Sequence, residues 1–84
     1  MLNETKKETT EIRLKEIFAN LFGLSQEKVF LEDSIYTIEQ WTSLMHLRLV
    51  SEVEKVFEIN FEPEDFIKLT SFKKLLELIE KKVH

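Results

Sequence analysis

The sequence predicts an all-α protein, a small four-helix bundle with three long helices, one short helix and a long first loop. Apolar residues recur at three- and four-residue intervals in three separate stretches, the spacing of helices that bury one face. One glycine and one proline are too few for the many turns of an all-β fold. Because the chain has no cysteine, packing alone must hold the bundle together.

Composition narrows the class of protein. A length of 84 residues fits one small domain, and 43% hydrophobic residues are enough for a core. A net charge of −4 disfavours nucleic-acid binding, which depends on a basic face. No apolar run is long enough to cross a bilayer, and the polar start lacks a secretory core. We expect a cytoplasmic monomer that binds neither nucleic acid nor membrane.

The first part of the chain predicts a tail, a helix and a long connection. We expect residues 1–9 to form a flexible polar tail and residues 10–84 to form the helical domain. The first helix is predicted from Thr10 to Phe22, and Gly23 stands where a left-handed helix stop is expected. Its apolar stripe contains Ile12, Leu14, Ile17, Phe18, Leu21 and Phe22.

The segment from Ser25 to Trp41 has no sustained period, yet it is rich in large apolar residues. These residues predict that the segment is pinned across the open side of the bundle. They are Val29, Phe30, Leu31, Ile35, Ile38 and Trp41. A strand between Lys28 and Ile38 is the alternative, although the sequence offers no partner strand.

The second helix is predicted from Ser43 to Glu58. Its inward residues are expected to be Leu44, Leu47, Val50, Val53 and Phe57, with Leu49 and Val56 flanking them. Thr42 is the expected N-cap, since its hydroxyl can accept a backbone N–H of the first turn. Ser43 then occupies the first helical position with an exposed hydroxyl. Free N–H groups and the helix dipole favour an anion there.

The last part of the chain predicts two more helices. Pro63 suits the first position of a short third helix, in which Phe66, Ile67 and Leu69 are expected to be buried. Thr70 is the expected cap of the fourth helix. The fourth helix should direct Phe72, Leu75, Leu76, Ile79 and, at its end, Val83 inward.

Four segments of the sequence together resemble the acyl carrier protein family, over residues 10 to 82. They are Asp33-Ser34-Ile35, Trp41-Thr42-Ser43-Leu44, Glu54-Lys55-Val56-Phe57-Glu58-Ile59 and Leu69-Thr70-Ser71-Phe72. The resemblance implies that a phosphopantetheinyl transferase moves 4′-phosphopantetheine from coenzyme A onto Ser43. It further implies that the arm's thiol holds an acyl or aminoacyl group as a thioester. Acyl- or aminoacyl-activating enzymes and synthases, as in fatty acid or polyketide biosynthesis, are the implied partners.

The sequence departs from the family at several positions around Ser43. Thr42 replaces the usual Asp, which in the family helps engage the transferase, and Met45 and Arg48 occupy positions that are commonly acidic. Charges at the edge of an interface influence which partner binds. We therefore interpret the chain as a specialised carrier with its own partners. The predicted docking face comprises Ile38, Trp41, Leu44, Met45, Leu47 and Arg48. Leu47 and Trp41 have an alternative interpretation as core residues.

Other functions fit parts of the pattern. The motif Trp-Xaa-Ser-Leu is equally compatible with a free-standing peptidyl or aminoacyl carrier. An unmodified interaction module, which would keep the fold without the arm, is a further alternative. Ser43 and His46 share a helix face, as a hydrolase dyad would, but no acid is placed to orient the imidazole. Two histidines are too few for a metal site. We therefore expect no catalysis.

Since small bundles are marginally stable, we also hypothesise that the helices part to admit an acyl chain.

Overall fold

The computed structural model describes the backbone of residues 2–83 and the side chains of residues 9–83. Its helices are α1 (Leu2–Phe22), α2 (Ser43–Phe57), α3 (Pro63–Lys68) and α4 (Phe72–Lys82), with a 3-10 turn at Gln26–Lys28. The described backbone contains no β-strand, so the all-α prediction of three long helices and one short helix is confirmed. Within the same residues, no helix combines the length and apolarity needed to span a membrane.

Helix α1 begins much earlier than the apolar pattern indicated. The predicted start near Thr10 is wrong, because the backbone is helical from Leu2. Residues 2–9 are mostly polar and supply no apolar face, but lysine, glutamate and leucine all have good helix propensity. The flexibility of residues 1–9 stays a prediction, and Met1 lies outside the described residues. At the other end, Gly23 adopts φ +69°, which confirms the left-handed stop.

The core lies where α1 packs against α2 and α4. Several side chains are fully enclosed, among them Leu14, Phe18, Leu49, Val53, Phe72, Leu75 and Ile79, each with 0% of its surface exposed. The predicted inward residues Phe72, Leu75, Leu76 and Ile79 of α4 are buried, and Val83 packs partly buried against the core, which confirms the interpretation of that helix. Ile12 is 52% exposed, so the predicted stripe of α1 was one residue too wide.

Helix α2 buries only part of the predicted stripe: Val50 and Val53 are buried as predicted, but Leu44 and Leu47 are not. Its buried residues are Leu49, Val50 and Val53, whereas Leu44 and Leu47 are 62% and 56% exposed. The helix carries apolar residues on more than one face, so two overlapping stripes satisfy the helical period. Packing against α1 buries Leu49 together with Val50 and Val53, in place of Leu44 and Leu47. The other stripe leaves two leucines in solvent beside Ser43.

The long first connection is pinned at both ends and once in its middle. Val29, Ile38 and Trp41 are buried, as predicted, whereas Phe30 and Leu31 are 55% and 40% exposed. In the middle, an isolated antiparallel bridge joins Ser34 to Ser71. The Ile35 N–H donates to the Thr70 carbonyl at 3.1 Å, and the Phe72 N–H donates to the Asp33 carbonyl at 2.9 Å. The bridge does not extend into a strand, so the β alternative is wrong.

Helices α3 and α4 begin with side-chain caps. Pro63 is the first residue of α3, as predicted, and the Asp65 carboxylate accepts the Glu62 N–H at 3.0 Å. The cap of α4 is Ser71, whose hydroxyl accepts the Lys74 N–H at 3.1 Å, so the assignment of Thr70 is wrong. Leu69 is buried, but Ile67 is 76% exposed, contrary to expectation. With six residues, α3 is too short to bury more than one face.

We expect Gly23→Ala to lower the free energy of unfolding by about 1 kcal/mol, because a Cβ disfavours the left-handed backbone. An added Cβ at this position meets no atom within 4 Å, so the effect isolates backbone strain from crowding. Urea denaturation measures the change. A loss indistinguishable from zero would mean that the chain reaches this turn without a left-handed residue.

At the end of α2, Glu58 adopts the left-handed backbone conformation (φ +56°) although it is not glycine, so the opposite substitution can be tested there. We expect Glu58→Gly to raise the free energy of unfolding by roughly 0.5 kcal/mol, since relief of strain exceeds the added entropy of the unfolded chain. The same denaturation experiment measures it. Glu58→Ala, which keeps a Cβ, is the matched control and should not stabilise the protein.

Candidate functional site

Ser43 is the first residue of α2, and its side chain is exposed. Thr42 caps the helix, because its hydroxyl accepts the Met45 N–H at 3.3 Å. The His46 N–H donates to the Thr42 carbonyl at 2.8 Å and closes the first turn. Among the described residues, nothing forms a hydrogen bond with the Ser43 hydroxyl. The predicted cap and the predicted position of Ser43 are therefore both present.

The start of α2 favours negative charge on Ser43. The first N–H groups of a helix have no partner within the helix, and the cap hydroxyl takes only that of Met45. The N–H groups of Ser43 and Leu44 stay available to an anion, and the helix dipole adds to the attraction. The first turn contains no acidic residue that would repel a phosphate. A phosphodiester on the serine oxygen fits this position.

His46 connects three elements directly below Ser43. The Trp41 indole N–H donates to His46 Nδ1 at 2.9 Å, and His46 Nε2 lies 2.9 Å from the Phe66 carbonyl oxygen. The imidazole lies edge to edge with the Trp41 ring, with centroids 5.9 Å apart and planes inclined by 29°, and meets the Phe66 ring edge to face at 4.5 Å. We call Trp41, His46 and Phe66 the ring clamp. It joins the first loop, α2 and α3.

These contacts define the state of the imidazole. An indole N–H can only donate, so Nδ1 must accept and carries no proton. Nε2 therefore holds the proton and donates it to the Phe66 carbonyl. Both ring nitrogens are engaged away from Ser43, and the imidazole is not placed to accept the serine proton. This geometry opposes a Ser43–His46 hydrolase dyad.

A shallow cavity of about 310 Å³ opens beside Ser43. The ring clamp forms part of its wall, and Ile67 of α3 and Ile35 of the loop contribute apolar surface. The lining residues are Ile35, Trp41, Thr42, Ser43, His46, Phe66, Ile67 and Thr70. None of them carries a formal charge when His46 is neutral. The cavity is thus an apolar recess next to an anion-favouring hydroxyl.

The residues predicted for docking fall into two groups. Leu44, Leu47 and Arg48 are exposed on the outer face of α2, and Met45 is partly buried against the core. Ile38 and Trp41 are only 4% and 5% exposed, so neither offers a side chain to a partner. The docking prediction is therefore wrong for Ile38, and for Trp41 the alternative interpretation as a core residue is confirmed. Trp41 instead anchors the loop, because its ring packs on Phe18 and Phe22 of α1.

Ile67 and His46 both contribute to the surface around Ser43, and neither contribution was predicted from the sequence. Ile67 was expected in the core but is 76% exposed beside Ser43. His46 was considered as a catalytic or metal-binding group, and its role between Trp41 and Phe66 was not predicted. No local pattern links residues 41, 46 and 66. The best signal in the sequence was that His46 lies about one helical turn after the exposed Ser43.

Comparison with known proteins identifies the family. The family model for the phosphopantetheine attachment site matches residues 13–79 of this chain. The chain therefore belongs to this family of phosphopantetheine carrier proteins. No curated protein matches it.

A solved structure of similar fold is a holo acyl carrier protein from Geobacter metallireducens. The two chains are 30% identical, and the match covers 88% of this chain and 85% of that one with a TM-score of 0.79. The suspected membership of the acyl carrier protein family is confirmed. The prosthetic group is accordingly covalently attached phosphopantetheine.

We expect Thr42→Val to lower the free energy of unfolding by about 1 kcal/mol, because the variant keeps the side-chain shape but loses the hydroxyl that caps α2. Thr42→Ser keeps the hydroxyl and serves as the control, with a much smaller change expected. Urea denaturation of both variants measures the difference. Equal losses in the two variants would show that the cap does not stabilise the helix.

Proposed function

We propose that this protein carries acyl or aminoacyl groups on a phosphopantetheine arm attached to the oxygen of Ser43. The observation that supports the position most directly is an exposed hydroxyl without a hydrogen-bond partner, held at the capped start of α2. The match to the attachment-site family spans this residue. Ser51 and Ser71 are less suitable, because Ser51 lies in the middle of a helix and Ser71 is itself a cap.

The proposed role requires no bond-making by the chain itself. When bound, the arm supplies a thiol that holds the carried group as a thioester. The protein contributes a rigid mounting for the serine, an environment that accepts the phosphate, and a surface that partner enzymes recognise. Tethering raises the local concentration of the carried group at a docked enzyme. We therefore propose a carrier and not an enzyme.

The proposed docking face is the exposed strip of Leu44, Leu47 and Arg48 on α2, extended by Ile67 on α3. Leucine and isoleucine side chains that are more than half exposed offer apolar area without disturbing the core. Arg48 is positively charged, and the first turn of α2 has no acid. Complementary partners, including the phosphopantetheinyl transferase, should therefore present apolar surface with an acidic neighbour. This charge pattern is also compatible with a peptidyl or aminoacyl carrier.

The attachment is tested by incubating the protein with coenzyme A and a broad-specificity phosphopantetheinyl transferase. We expect the intact mass to rise by one phosphopantetheine, and Ser43→Ala to abolish the gain. Ser51→Ala, an exposed serine of the same helix, is the matched control and should be modified like the parent protein. Peptide mapping then locates the group.

Two results would contradict the assignment. Modification of Ser43→Ala would move the attachment to another residue. No gain of mass with several transferases would favour an interaction module that keeps the fold without the arm. If only a generic transferase fails, Thr42→Asp should restore modification, because it reintroduces the acid that the family places before the serine.

We expect Leu44→Gln combined with Leu47→Gln to lower kcat/KM of the transferase roughly tenfold, because the variant removes the apolar centre of the docking face. The free energy of unfolding should change by less than about 0.5 kcal/mol, since both side chains are more than half exposed. Lys55→Gln, further along α2, is the control and should leave kcat/KM unchanged. An unchanged kcat/KM for the double variant would place docking on another surface.

A further inference from the structure

A groove of about 480 Å³ lies between α3 and α4. Helix α3 separates this groove from the cavity beside Ser43, because α3 contributes Phe66 and Ile67 to that cavity and Asp65 and Lys68 to the groove. The two hollows have no lining residue in common. The groove is therefore a surface distinct from the proposed attachment site.

The groove combines an apolar base with a positively charged rim. Leu69 and Leu78 line it and pack against the core, and Leu69 is only 2% exposed. Lys68, Lys74 and Lys81 line it as exposed side chains. A lysine side chain can cover apolar surface with its methylene groups while its ammonium group stays in water. We call this surface the lysine groove.

Carboxylates neutralise only part of the charge in the lysine groove. Among the residues that the structure describes, the three rim lysines form no ion pair. Asp65 lines the groove but is already paired with Lys82, at 3.9 Å. Glu77 is the other lining carboxylate and cannot balance three lysines. The groove therefore stays positive in a chain whose net charge is −4.

The spacing of the charges indicates the kind of partner. Lys74, Leu78 and Lys81 are separated by four and three residues, so they share one face of α4. Seven helical residues place the two lysines about 10 Å apart along the axis, with the leucine between them. A partner helix with acidic residues seven positions apart and an apolar residue between them has the complementary pattern. A small anion would leave the apolar base uncovered.

We propose that the lysine groove binds an acidic amphipathic helix of a partner protein. Carboxylates of that helix pair with the rim lysines, and its apolar residue covers Leu78. This binding requires neither an arm on Ser43 nor the docking face on α2, so the proposal goes beyond the proposed function. A chain held at the groove keeps Ser43 accessible to a second protein.

A synthetic peptide tests the groove on the full chain. The probe is an alanine-rich helical peptide with two glutamates seven positions apart and a leucine in the turn between them. We expect an NMR titration to shift the amide signals of Lys74, Leu78 and Lys81 and to leave those of Ser43 and Leu44 unchanged. A peptide with glutamine in place of both glutamates should bind several-fold more weakly, and higher ionic strength should reduce the difference.

Charge reversal locates the binding site. We expect Lys74→Glu combined with Lys81→Glu to weaken binding of the glutamate peptide roughly tenfold or more, because attraction becomes repulsion. Lys55→Glu combined with Lys73→Glu is the matched control, since it changes the net charge equally at exposed lysines outside the groove. The control should keep most of the affinity. Urea denaturation checks that both variants are folded.

A second variant gives the opposite change and does not depend on the stability of the first. Glu77→Gln removes a carboxylate from the groove and should tighten binding roughly twofold. Glu52→Gln, an exposed glutamate of α2, is its control and should have little effect. Leu44→Gln combined with Leu47→Gln should bind the peptide like the parent protein, because these leucines belong to the other surface.

Several results would overturn the proposal. Equal binding of the glutamate and glutamine peptides, no binding of either, or equal losses in the two charge-reversed proteins would each exclude recognition by the rim lysines. Shifts confined to α2 would place the peptide on the docking face. If Lys74 and Lys81 instead control binding to phosphatidylserine vesicles or self-association, without binding of the acidic peptide, the groove serves a membrane or a second copy. Because the titration uses the unmodified chain, failure of phosphopantetheine attachment would refute the proposed function and leave this result standing.

Discussion

One imidazole holds together the surroundings of Ser43. His46 accepts from Trp41 and donates to the Phe66 carbonyl, so the first loop, α2 and α3 meet at a single neutral side chain. The loop is otherwise tied to the bundle by one isolated bridge and a few buried side chains. Helix α3 has only six residues and cannot hold its place by packing alone. Without His46, the Trp41 indole N–H and the Phe66 carbonyl would both lose the hydrogen-bond partner that joins them beside Ser43.

The site combines a rigid base with an accessible tip. Trp41 is buried against two phenylalanines of α1, and Thr42 closes the first turn of α2. The hydroxyl of Ser43 projects from this base without a hydrogen bond to any described residue. A group attached at Ser43, as proposed, would therefore start from a fixed point at the beginning of α2.

Sequence reasoning succeeded where a feature depends on neighbouring residues. Thr42, Gly23 and Pro63 have their predicted roles because a cap, a left-handed stop and a helix start are local. It failed where distant packing decides. In the stripe of α2, Val50 and Val53 were predicted correctly and Leu44 and Leu47 wrongly, because both faces carry apolar residues and only contact with α1 selects one. The ring clamp joins residues 41, 46 and 66, which no local spacing relates. Distant packing also explains two further errors. Ile67 was predicted to be buried but is exposed, and Ile38 was predicted to contact partners but is buried.

The segment from Trp41 to Ser43 assigns three incompatible environments to three consecutive residues. The Trp41 side chain must be buried, the Thr42 hydroxyl must accept a backbone N–H of α2, and the Ser43 side chain must face solvent. Substitutions at each position can preserve its environment, but a change of length cannot. Deleting or inserting one residue would rotate the serine into the cap or the interior and expose the tryptophan. Natural variation in this segment should therefore be limited to exchange of side chains, with no insertions or deletions.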